Sequence, residues 1–574
     1  MKRDLLIMFL LASLLVMTGC SQENIPGGDD GVEDAQTSYL AVNLVSSDAT
    51  GTRADGNGFE DGSAKENTVN KVRFYFFNGG GGTVDVRYTA SGYVNFYDWE
   101  NPTPDTGNPG DVEKILTATI VIDTKKGDRL PVRIAAVINP DNVTGLGNTS
   151  LSLTSLKGIA QDYAVSALAT DDGAGKFVMF NSVYVDNGKD FSTTDIKSDN
   201  ICTTETLAKE NPVIIHVERS VAKVSVELGT NVSAADGGKI ALKDKVTGGE
   251  NILVEGKQVY LKLGGWELAA ETDKGRLVKK INPQWEGTWW KPVAYPHRTF
   301  WAINFSGAKN VYDKSYSQTT TPFGAANYLY TNENAQKNDG DVSGNAQYST
   351  KVIVQGTLVD ENDQPFTIVR HMGARFADDP DNFNNLKNSV LTVLENKGYF
   401  YYYKDGENFR QITNADLDVV VPTTVTNENS GNNCYVYTQL NSAAEAKQWY
   451  KSTVKDPAQS TAYTQIQYSE INGTLKDKKA DNSGYIIDRA LVWKSGMTYY
   501  YYEIKHLDGC DVPSVVRNHI YKTTITNIAG LGTPVYNPGD IIYPEKPDEK
   551  EYYIAAQVKI LSWRIVTTNY DLEW

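Results

Sequence analysis

The chain has 574 residues, with 71 Asp and Glu against 55 Lys and Arg, which gives a formal net charge of -16 at pH 7. Because a single hydrophobic core stops growing well below this length, two or more domains are expected. The acidic balance argues against nucleic acid as a partner, since binding to phosphate requires clustered Lys and Arg.

Cysteine, histidine and motif content argue against several kinds of chemistry. The four cysteines become an odd three once Cys20 is set aside, so a disulfide framework is not expected. The five histidines are isolated from one another, and the 360–363 acidic cluster lacks the length and glycine of an EF-hand. The sequence contains no P-loop, HExxH, GxSxG or CxxC motif. We therefore expect no catalytic residue, no metal site and no cofactor, although a dispersed glycosidase carboxylate pair stays open.

The first twenty residues have the pattern of an export signal. Lys2 and Arg3 precede an apolar run over residues 5–17, and Thr18 and Gly19 stand directly before Cys20. The run is too short for a stable membrane-spanning helix, and small residues before a cysteine resemble a bacterial lipobox. Cleavage before Cys20 would let that residue carry acyl chains and anchor the protein to a membrane. The alternative is a plain signal peptide with an incidental cysteine.

A tether and a first strand follow the signal. Residues 21–37 are polar, Gly-rich and acidic, and cannot bury enough apolar surface to fold. The segment Tyr39 to Val45 alternates with a period of two, placing Leu40, Val42 and Leu44 on one face of a predicted β-strand. The Gly- and Asp-rich stretch 46–63 contains Arg53 and Ala54, where the backbone is expected to be exposed and easily cut.

Most of the remaining chain consists of short β-branched and aromatic runs separated by Gly, Asn, Asp and Pro. This spacing predicts antiparallel sandwiches or barrels rather than βαβ units. The predicted strands cover residues 72–77, 116–122, 132–138, 177–185, 213–227, 253–263, 300–305, 351–358, 366–370, 399–403, 499–504 and 519–528.

Few helices are predicted, and two of them can be placed. The first runs from about Asp381 to Asn396, with Gly398 just past its end as a left-handed stop residue. The second starts at Ser442, where Glu445 three residues later indicates a capping box.

A tryptophan cluster permits two interpretations. Trp285, Trp289, Trp290 and Trp301 could stack on a sugar, or they could cover a sheet or a domain junction, which the pattern favours.

The C-terminal segment Tyr552 to Leu572 follows a Pro-rich linker and has a long strand pattern. Apolar residues stand at even-numbered positions up to 560 and at odd-numbered positions from 561. Since alternate residues of a strand share a face, this switch predicts a bulge or bend between two strand pieces. Its predicted donor side chains are Ile554, Val558, Ile560, Leu561, Trp563 and Ile565. Such a strand needs another sheet to cover it, and it could fold back onto its own domain or pair with a second molecule.

The two ends of the chain suggest a linked hypothesis. A cut after Arg53 would free the strand Tyr39 to Val45 from the rest of the chain and expose a sheet edge with an apolar groove. If the C-terminal strand of a second copy filled that groove, β-augmentation would join the two copies. This heterologous contact does not close, so its repetition gives a filament.

Several segments, in order along nearly the whole chain, resemble the Mfa-type fimbrial major subunits (short-fimbria fimbrillins) of Bacteroidales, which build type V pili. They are Thr52-Arg53-Ala54, MFNSVYVDN (179–187), VERSVAKVSVE (217–227), GGWELA (264–269), YLYTNEN (328–334), TKVIVQGTLVDENDQPF (350–366), VVRNHIYKTTITNIAGLGTPV (515–535) and the terminal strand.

The resemblance implies a mainly β fold with two transthyretin-like antiparallel β-sandwich domains, a few short helices and a long C-terminal donor strand. It implies lipidation at Cys20, cleavage between Arg53 and Ala54, and displacement of the strand that carries Tyr39, Leu40, Val42 and Leu44. The implied divisions are the signal 1–20, the propeptide 21–53, sandwiches 54–220 and 221–547, and the donor 548–574.

The implied function is that of a non-enzymatic major pilin that supports cell adhesion. It would begin as an outer-membrane lipoprotein precursor and end in a cell-surface fimbrium. Its expected partners are other copies of itself in a head-to-tail polymer, accessory and anchor fimbrial subunits, an arginine-specific protease and, before maturation, the outer membrane. Two alternatives stay open, a tip or accessory fimbrial adhesin and a surface glycan-binding lipoprotein.

Overall fold

The computed structural model describes residues 35–46, 62–102, 114–125, 128–186, 189–233, 238–281, 302–335, 349–421, 435–481, 483–505, 514–544, 553–557 and 564–573. The predicted fold class is confirmed: these residues form several mostly antiparallel sheets and a few short helices.

The strands up to residue 219 are β1 (Ala35–Ser46), β2 (Lys71–Phe77), β3 (Arg87–Thr89), β4 (Gly92–Val94), β5 (Phe96–Glu100), β6 (Lys114–Lys125), β7 (Arg133–Ile138), β8 (Ala160–Gln161), β9 (Met179–Asn181), β10 (Tyr184–Asp186), β11 (Lys189–Phe191), β12 (Thr194–Asp195), β13 (Ile201–Cys202) and β14 (Val213–Arg219). The helices in this region are α1 (Leu153–Lys157) and α2 (Glu205–Glu210).

The next strands are β15 (Val221–Leu228), β16 (Lys239–Ala241), β17 (Leu253–Val254), β18 (Lys257–Gln258), β19 (Tyr260–Ala269), β20 (Glu271–Thr272), β21 (Gly275–Arg276), β22 (Asn310–Val311), β23 (Tyr328–Asn332) and β24 (Lys351–Val359), with helix α3 (Thr230–Ser233).

A third group comprises β25 (Thr367–His371), β26 (Ala374–Asp378), β27 (Phe400–Asp405), β28 (Asn408–Gln411), β29 (Leu417–Val420), β30 (Tyr435–Leu440), β31 (Trp449–Ser452), β32 (Thr464–Ile466) and β33 (Ala490–Trp493), with helices α4 (Asn384–Asn396), α5 (Ser442–Glu445) and α6 (Tyr468–Lys476). The chain ends with β34 (Met497–Glu503), β35 (His519–Ala529), β36 (Thr533–Pro534), β37 (Tyr553–Gln557) and β38 (Arg564–Glu573).

The first sheet is built from the strands before residue 220. Its order is β13-β1-β14-β9-β7-β2-β5, with β6 paired to β1 and β12 to β7. Its buried aromatic and β-branched side chains, such as Phe74 and Ile134, form a core with Leu277 and Tyr330 from beyond residue 220. The two sides of the predicted 220 boundary therefore pack on each other directly.

Two five-stranded sheets form a sandwich in the C-terminal half. Their orders are β23-β15-β35-β38-β37 and β16-β19-β24-β34-β36, and a shared core that includes Val224, Trp266 and Tyr521 lies between them. The run predicted as one strand over 213–227 is divided at Ser220, because β14 belongs to the first sheet and β15 to this sandwich.

Residues 367–493 form a third unit with its own core. A five-stranded sheet, β26-β25-β33-β30-β29, and a four-stranded sheet, β28-β27-β31-β32, share this unit with α4 and α6. Leu386, Val390 and Leu394 on one face of α4 are buried in its core, as the helical period predicts. The prediction of two sandwich domains implies two cores, one for each domain. The core of residues 367–493 is a further core that this prediction did not include.

Several local predictions are corrected by the structure. The 177–185 run forms two short strands, β9 and β10, and 253–263 is likewise divided among β17, β18 and β19. Residues 302–305 are in no strand, which contradicts the described part of the 300–305 prediction. The cap of α5 is Asn441, whose side chain accepts from Ala444 N at 2.9 Å, so the predicted box at Ser442 is wrong by one residue. Gly398 after α4 has φ +79°, as expected for a left-handed stop residue.

Candidate functional site

The strand predicted to leave the fold, Tyr39 to Val45, lies in β1, which is inside the first sheet rather than at its edge. β1 begins at Ala35, so residues 35–37 are part of a strand and not of the predicted tether. One side pairs antiparallel with β6 along its whole length, from Ala35 opposite Lys125 to Ser46 opposite Lys114. The other side pairs in parallel with β14, where Val42 is opposite Val213, and antiparallel with β13. Removal of β1 would therefore expose two rows of backbone donors and acceptors at once.

One face of β1 is part of the main core of this sheet. Leu40, Val42 and Leu44 are 0%, 0% and 2% exposed, respectively. Full burial of such aliphatic side chains contributes on the order of 2 kcal/mol each. The groove beneath β1, called here the β1 groove and bounded by β6, β13 and β14, is thus a deep apolar slot.

The opposite face of β1 lies against helix α2. Ala41 is fully buried and forms a small cluster with Cys202 on β13 and Ala208 on α2, and Tyr39 packs at its margin. Thr204 fixes the start of α2 by accepting from Leu207 N at 3.4 Å. The position of Ala41 therefore requires a small side chain.

Two side-chain hydrogen bonds add to the backbone ladder of β1. Thr117 Oγ1 donates to Asn43 Oδ1 at 2.9 Å, and Thr37 Oγ1 donates to Asp123 Oδ1 at 3.0 Å. The first bond is partly buried and the second is exposed, and each contributes about 1 kcal/mol. Burial and the two ladders are therefore the main interactions that hold β1.

The chain that follows β1 is anchored separately. Glu66 is fully buried, its Oε1 lies 3.0 Å from Lys223 Nζ on β15, and Tyr330 OH on β23 donates to the same oxygen at 2.5 Å. Ser63 N donates to Glu66 Oε2 at 2.6 Å. Burial alone would raise the pKa of Glu66, but Lys223 and these hydrogen bonds outweigh it, and the pKa lies below its usual value. The Glu66 anchor, as we call it, fixes residues 62–70 to the C-terminal sandwich.

A buried charge network extends from this anchor. Arg517 Nε lies 3.0 Å from Glu333 Oε2, and Lys279 Nζ lies 3.4 Å from Glu218 Oε2. Burial raises the pKa of Glu218, although Lys279 and Arg517 oppose it. Arg219 Nη1 donates to Asn518 Oδ1 at 3.4 Å. The segments VERSVAKV and VVRNHIYKTTI, which are distant in sequence, therefore meet where the first sheet joins the sandwich.

Sequence reasoning did not assign a role to these charged residues. A signal was present, because Glu218, Arg219 and Arg517 interrupt apolar strand patterns, and buried charges require partners. The sequence indicated a buried role for Glu66 less clearly, because Glu66 lies just after the 46–63 stretch that is predicted to be exposed.

The predicted donor segment lies on the protein's own sandwich. β38 pairs in parallel with β35, from His519 opposite Arg564 to Ala529 opposite Glu573, and β37 pairs antiparallel with β38. Ile554 is in β37 and Ile565 is in β38, so the predicted division into two strand pieces is present. The other predicted donor residues, Val558, Ile560, Leu561 and Trp563, lie outside the described residues.

Other predicted site residues also fall outside the part of the chain that the structure describes. They are Cys20, Arg53, Ala54 and the tryptophan cluster. Among the described residues, no helix is long and apolar enough to cross a membrane. Within the same residues, no group of three His, Cys, Asp or Glu side chains could hold a metal ion.

Three solved structures are similar to this chain at low sequence identity. A fimbrilin (FimA) from Porphyromonas gingivalis is 11% identical with a TM-score of 0.30, over 93% of this chain and 97% of that one. The tip fimbrial protein Mfa3 from the same species, with a C-terminal truncation, is 14% identical with a TM-score of 0.25, over 59% and 84%. A fimbrial assembly protein from Parabacteroides distasonis is 10% identical with a TM-score of 0.27, over 73% and 100%.

The sequence match to a family is local and specific. Residues 492–569 match the family described as major fimbrial subunit protein type IV, Fimbrillin, C-terminal, a span that contains β34 to β37 and the start of β38. No curated protein matches the chain. The match agrees with the prediction of a structural, non-enzymatic protein and supports a fimbrial subunit role at the cell surface. Residues 492–569 are therefore similar to the C-terminal region of the fimbrillin family, in agreement with the resemblance noted in the sequence.

Proposed function

We propose that the chain is the major structural subunit of a type V fimbria that supports cell adhesion. It is exported as an outer-membrane lipoprotein through Cys20, cut after Arg53 and polymerised by strand exchange. The observation that carries the proposal is the position of β1. This strand fills a deep slot between β6 and β14, yet it precedes the Arg53 cut and so would lose its covalent link to the mature chain.

The Glu66 anchor holds the residues after the proposed cut independently of β1. After a cut at Arg53, the mature chain would begin at Ala54 and reach its first fixed residues at 62–66. The ion pair with Lys223 and the hydrogen bond from Tyr330 do not involve β1. Loss of β1 would therefore open the β1 groove without loosening the rest of the chain from the C-terminal sandwich.

The donor in this proposal is the C-terminal segment Tyr552 to Leu572 of another copy. The segment has the alternating apolar pattern that a groove-filling strand needs, and it supplies backbone partners for both rims of the β1 groove. The first sheet of each copy accepts a donor and the C-terminus of the same copy provides one, so the contact is heterologous and extends head to tail. Accessory and anchor subunits would use the same groove or donor at the filament ends.

The test treats residues 21–574 with an arginine-specific protease, identifies the new N-terminus by mass spectrometry and follows assembly by electron microscopy. We expect a cut before Ala54, followed by SDS-resistant ladders and filaments. Arg53→Ala should stay folded and monomeric, and the matched control Arg129→Ala, at another exposed arginine, should assemble as wild type. Filaments of normal length from Arg53→Ala would rule out this maturation site.

A second candidate is an accessory or tip subunit, which one observation favours. The C-terminal strands lie on the protein's own sheet, where β38 covers the edge of β35. If this arrangement is permanent, the cut protein accepts a donor but provides none. Cut protein that stays monomeric alone, yet binds an added donor peptide of residues 549–562, would support the accessory role over the major subunit.

A further inference from the structure

We propose that residues 553–558 of one copy replace residues 39–44 of the next, in the same chain direction, with Ala555 in the place of Ala41. The inference rests on the strand exchange proposed above and specifies its register. It also assigns the β37 portion of the C-terminal segment, rather than β38, to the β1 groove.

The position of Ala41 sets the register. Its side chain is fully buried between Cys202 and Ala208, and residues two positions apart along a strand share a face. A replacing strand must therefore place a small residue at the position of Ala41. It must also place apolar residues at the buried positions of Leu40, Val42 and Leu44, which lie on the other face of the strand.

Only a few residues in the C-terminal segment are small enough for this position, namely Ala555, Ala556 and Ser562. Placing Ala556 there would put Gln557 and Lys559 into the fully buried slots of Val42 and Leu44. Placing Ser562 there would put Trp563 into the slot of Val42, and an insertion of that size into a filled core is destabilising. Ala555 is the choice that avoids both conflicts.

The remaining positions then match in residue type. Tyr553 takes the place of Tyr39, and Ile554 and Val558 take those of Leu40 and Leu44. Gln557 takes the place of Asn43, so its amide oxygen can accept from Thr117 as Asn43 does. The six-residue sequences YLAVNL and YIAAQV thus agree at each position in polarity, with one smaller core residue at Ala556.

The monomer holds β37 in a way that allows its release. In the described residues β37 pairs only with β38, from Tyr553 opposite Glu573 to Gln557 opposite Asn569, and it forms the outer edge of its sheet. Leaving this position breaks a single ladder. In the β1 groove the same residues gain partners on both sides, from β6 and from β13 and β14. The exchange is therefore favoured by the second ladder.

Cys202 offers a direct test, because it is opposite Tyr39 in the antiparallel β1–β13 pair. Opposite residues have Cβ atoms about 4.5–5.5 Å apart, which is close to the distance that a disulfide needs. In a Cys434→Ser, Cys510→Ser background, the cut Tyr553→Cys protein should form a ladder of disulfide-linked oligomers on non-reducing gels. The matched variant Gln557→Cys, four residues further on the same face, should give at least tenfold less linked product.

Two assembly variants complement the cross-link. Ala555→Leu should stop filament formation because the larger side chain meets Ala208 and Cys202, whereas Ala556→Val should assemble at least as well as the parent. Circular dichroism of the uncut proteins checks that both variants fold.

The possible outcomes distinguish a wrong register from a failure of the strand exchange itself. Filaments that form normally while Gln557→Cys links more strongly than Tyr553→Cys would overturn the register and leave the exchange intact. Normal assembly of Ala555→Leu would overturn it as well. If the cut parent protein forms no filaments at all, the proposed function itself fails and the register fails with it.

Discussion

Glu66 and Lys223 form an ion pair of 3.0 Å that joins the segment just after the predicted maturation cut to the second strand group of the chain. Glu66 is fully buried, and the side chain of Lys223 lies over the Tyr328 ring at 3.9 Å from its centroid. The residues are far apart in sequence, so the contact ties the segment around Glu66 to the C-terminal sandwich.

Glu66→Gln should lower the free energy of unfolding by about 2–4 kcal/mol, because removing one charge of a buried pair leaves the other uncompensated. Urea unfolding followed by circular dichroism measures the change. Glu100→Gln is the matched control, since its partner Lys71 lies 3.1 Å away but the Glu100 side chain is 60% exposed. That control should change the free energy by about 0.5 kcal/mol or less.

The Glu66 contribution should also depend on pH. Its pKa is lower in the folded protein than in the unfolded chain, so the stabilisation is present above the unfolded pKa and is lost as pH falls through the folded pKa. The difference between wild type and Glu66→Gln should therefore shrink as pH falls below about 4.5. A difference that grows in acid would contradict this assignment.

Glu271 on β20 should show the opposite dependence. Burial raises its pKa to about 7, against hydrogen bonding from Thr331 and attraction by Lys314. A carboxyl with a raised folded pKa contributes stability that is lost as pH rises through that value. Glu271→Gln should thus be about 3 kcal/mol more stable than wild type at pH 8, and gain about 1 kcal/mol or less at pH 5. Thermal unfolding at the two pH values checks this, with Glu205→Gln as the control because the Glu205 side chain on α2 is exposed.

A synthetic peptide of residues 35–46 should inhibit assembly of the cut protein. It reproduces β1, so it can fill the β1 groove and form the ladder with β6 that a donor would need. Filament growth followed by light scattering should fall in proportion to the peptide added. A peptide with Val42→Asp should have little effect, because it places a charge in a fully buried slot. Equal inhibition by both peptides would point to nonspecific binding.

Truncation after Lys550 should leave a folded subunit that cannot extend a filament. The truncation removes β37 and β38, which leaves β35 with β15 as its ladder partner but takes away the donor. Mixed with the full-length cut protein, the truncated chain should act as a filament terminator and shorten the filaments seen by electron microscopy. Unchanged filament length in the mixture would refute the donor role of the C-terminus.

The sequence predicted the fold well where apolar residues recur with the regular spacing of a strand or a helix. β24 and β35 extend only slightly beyond the predicted 351–358 and 519–528, and α4 shows its apolar face as expected. The first strand was predicted in the same way, through the alternation of Leu40, Val42 and Leu44.

What the sequence could not supply depends on long-range contacts. The separation of β14 from β15 at Ser220 is not marked by Gly, Pro, Asn or Asp, and it is visible only once their partners in two different sheets are known. The third core unites strands from Thr367 to Trp493 that no local pattern links. Within the site, the requirement for a small residue at Ala41 arises from Cys202 and Ala208, which are more than 150 positions away in sequence.

The passage from β14 through Ser220 to β15 also has a mechanical consequence. A donor in the β1 groove of the proposed filament would lie alongside β14, β15 pairs in parallel with β35, and β35 leads towards the C-terminus that enters the next copy. Tension on such a filament would act along these strands rather than across them. The backbone hydrogen bonds would then be loaded in shear and share the force, instead of opening one after another as in a zipper.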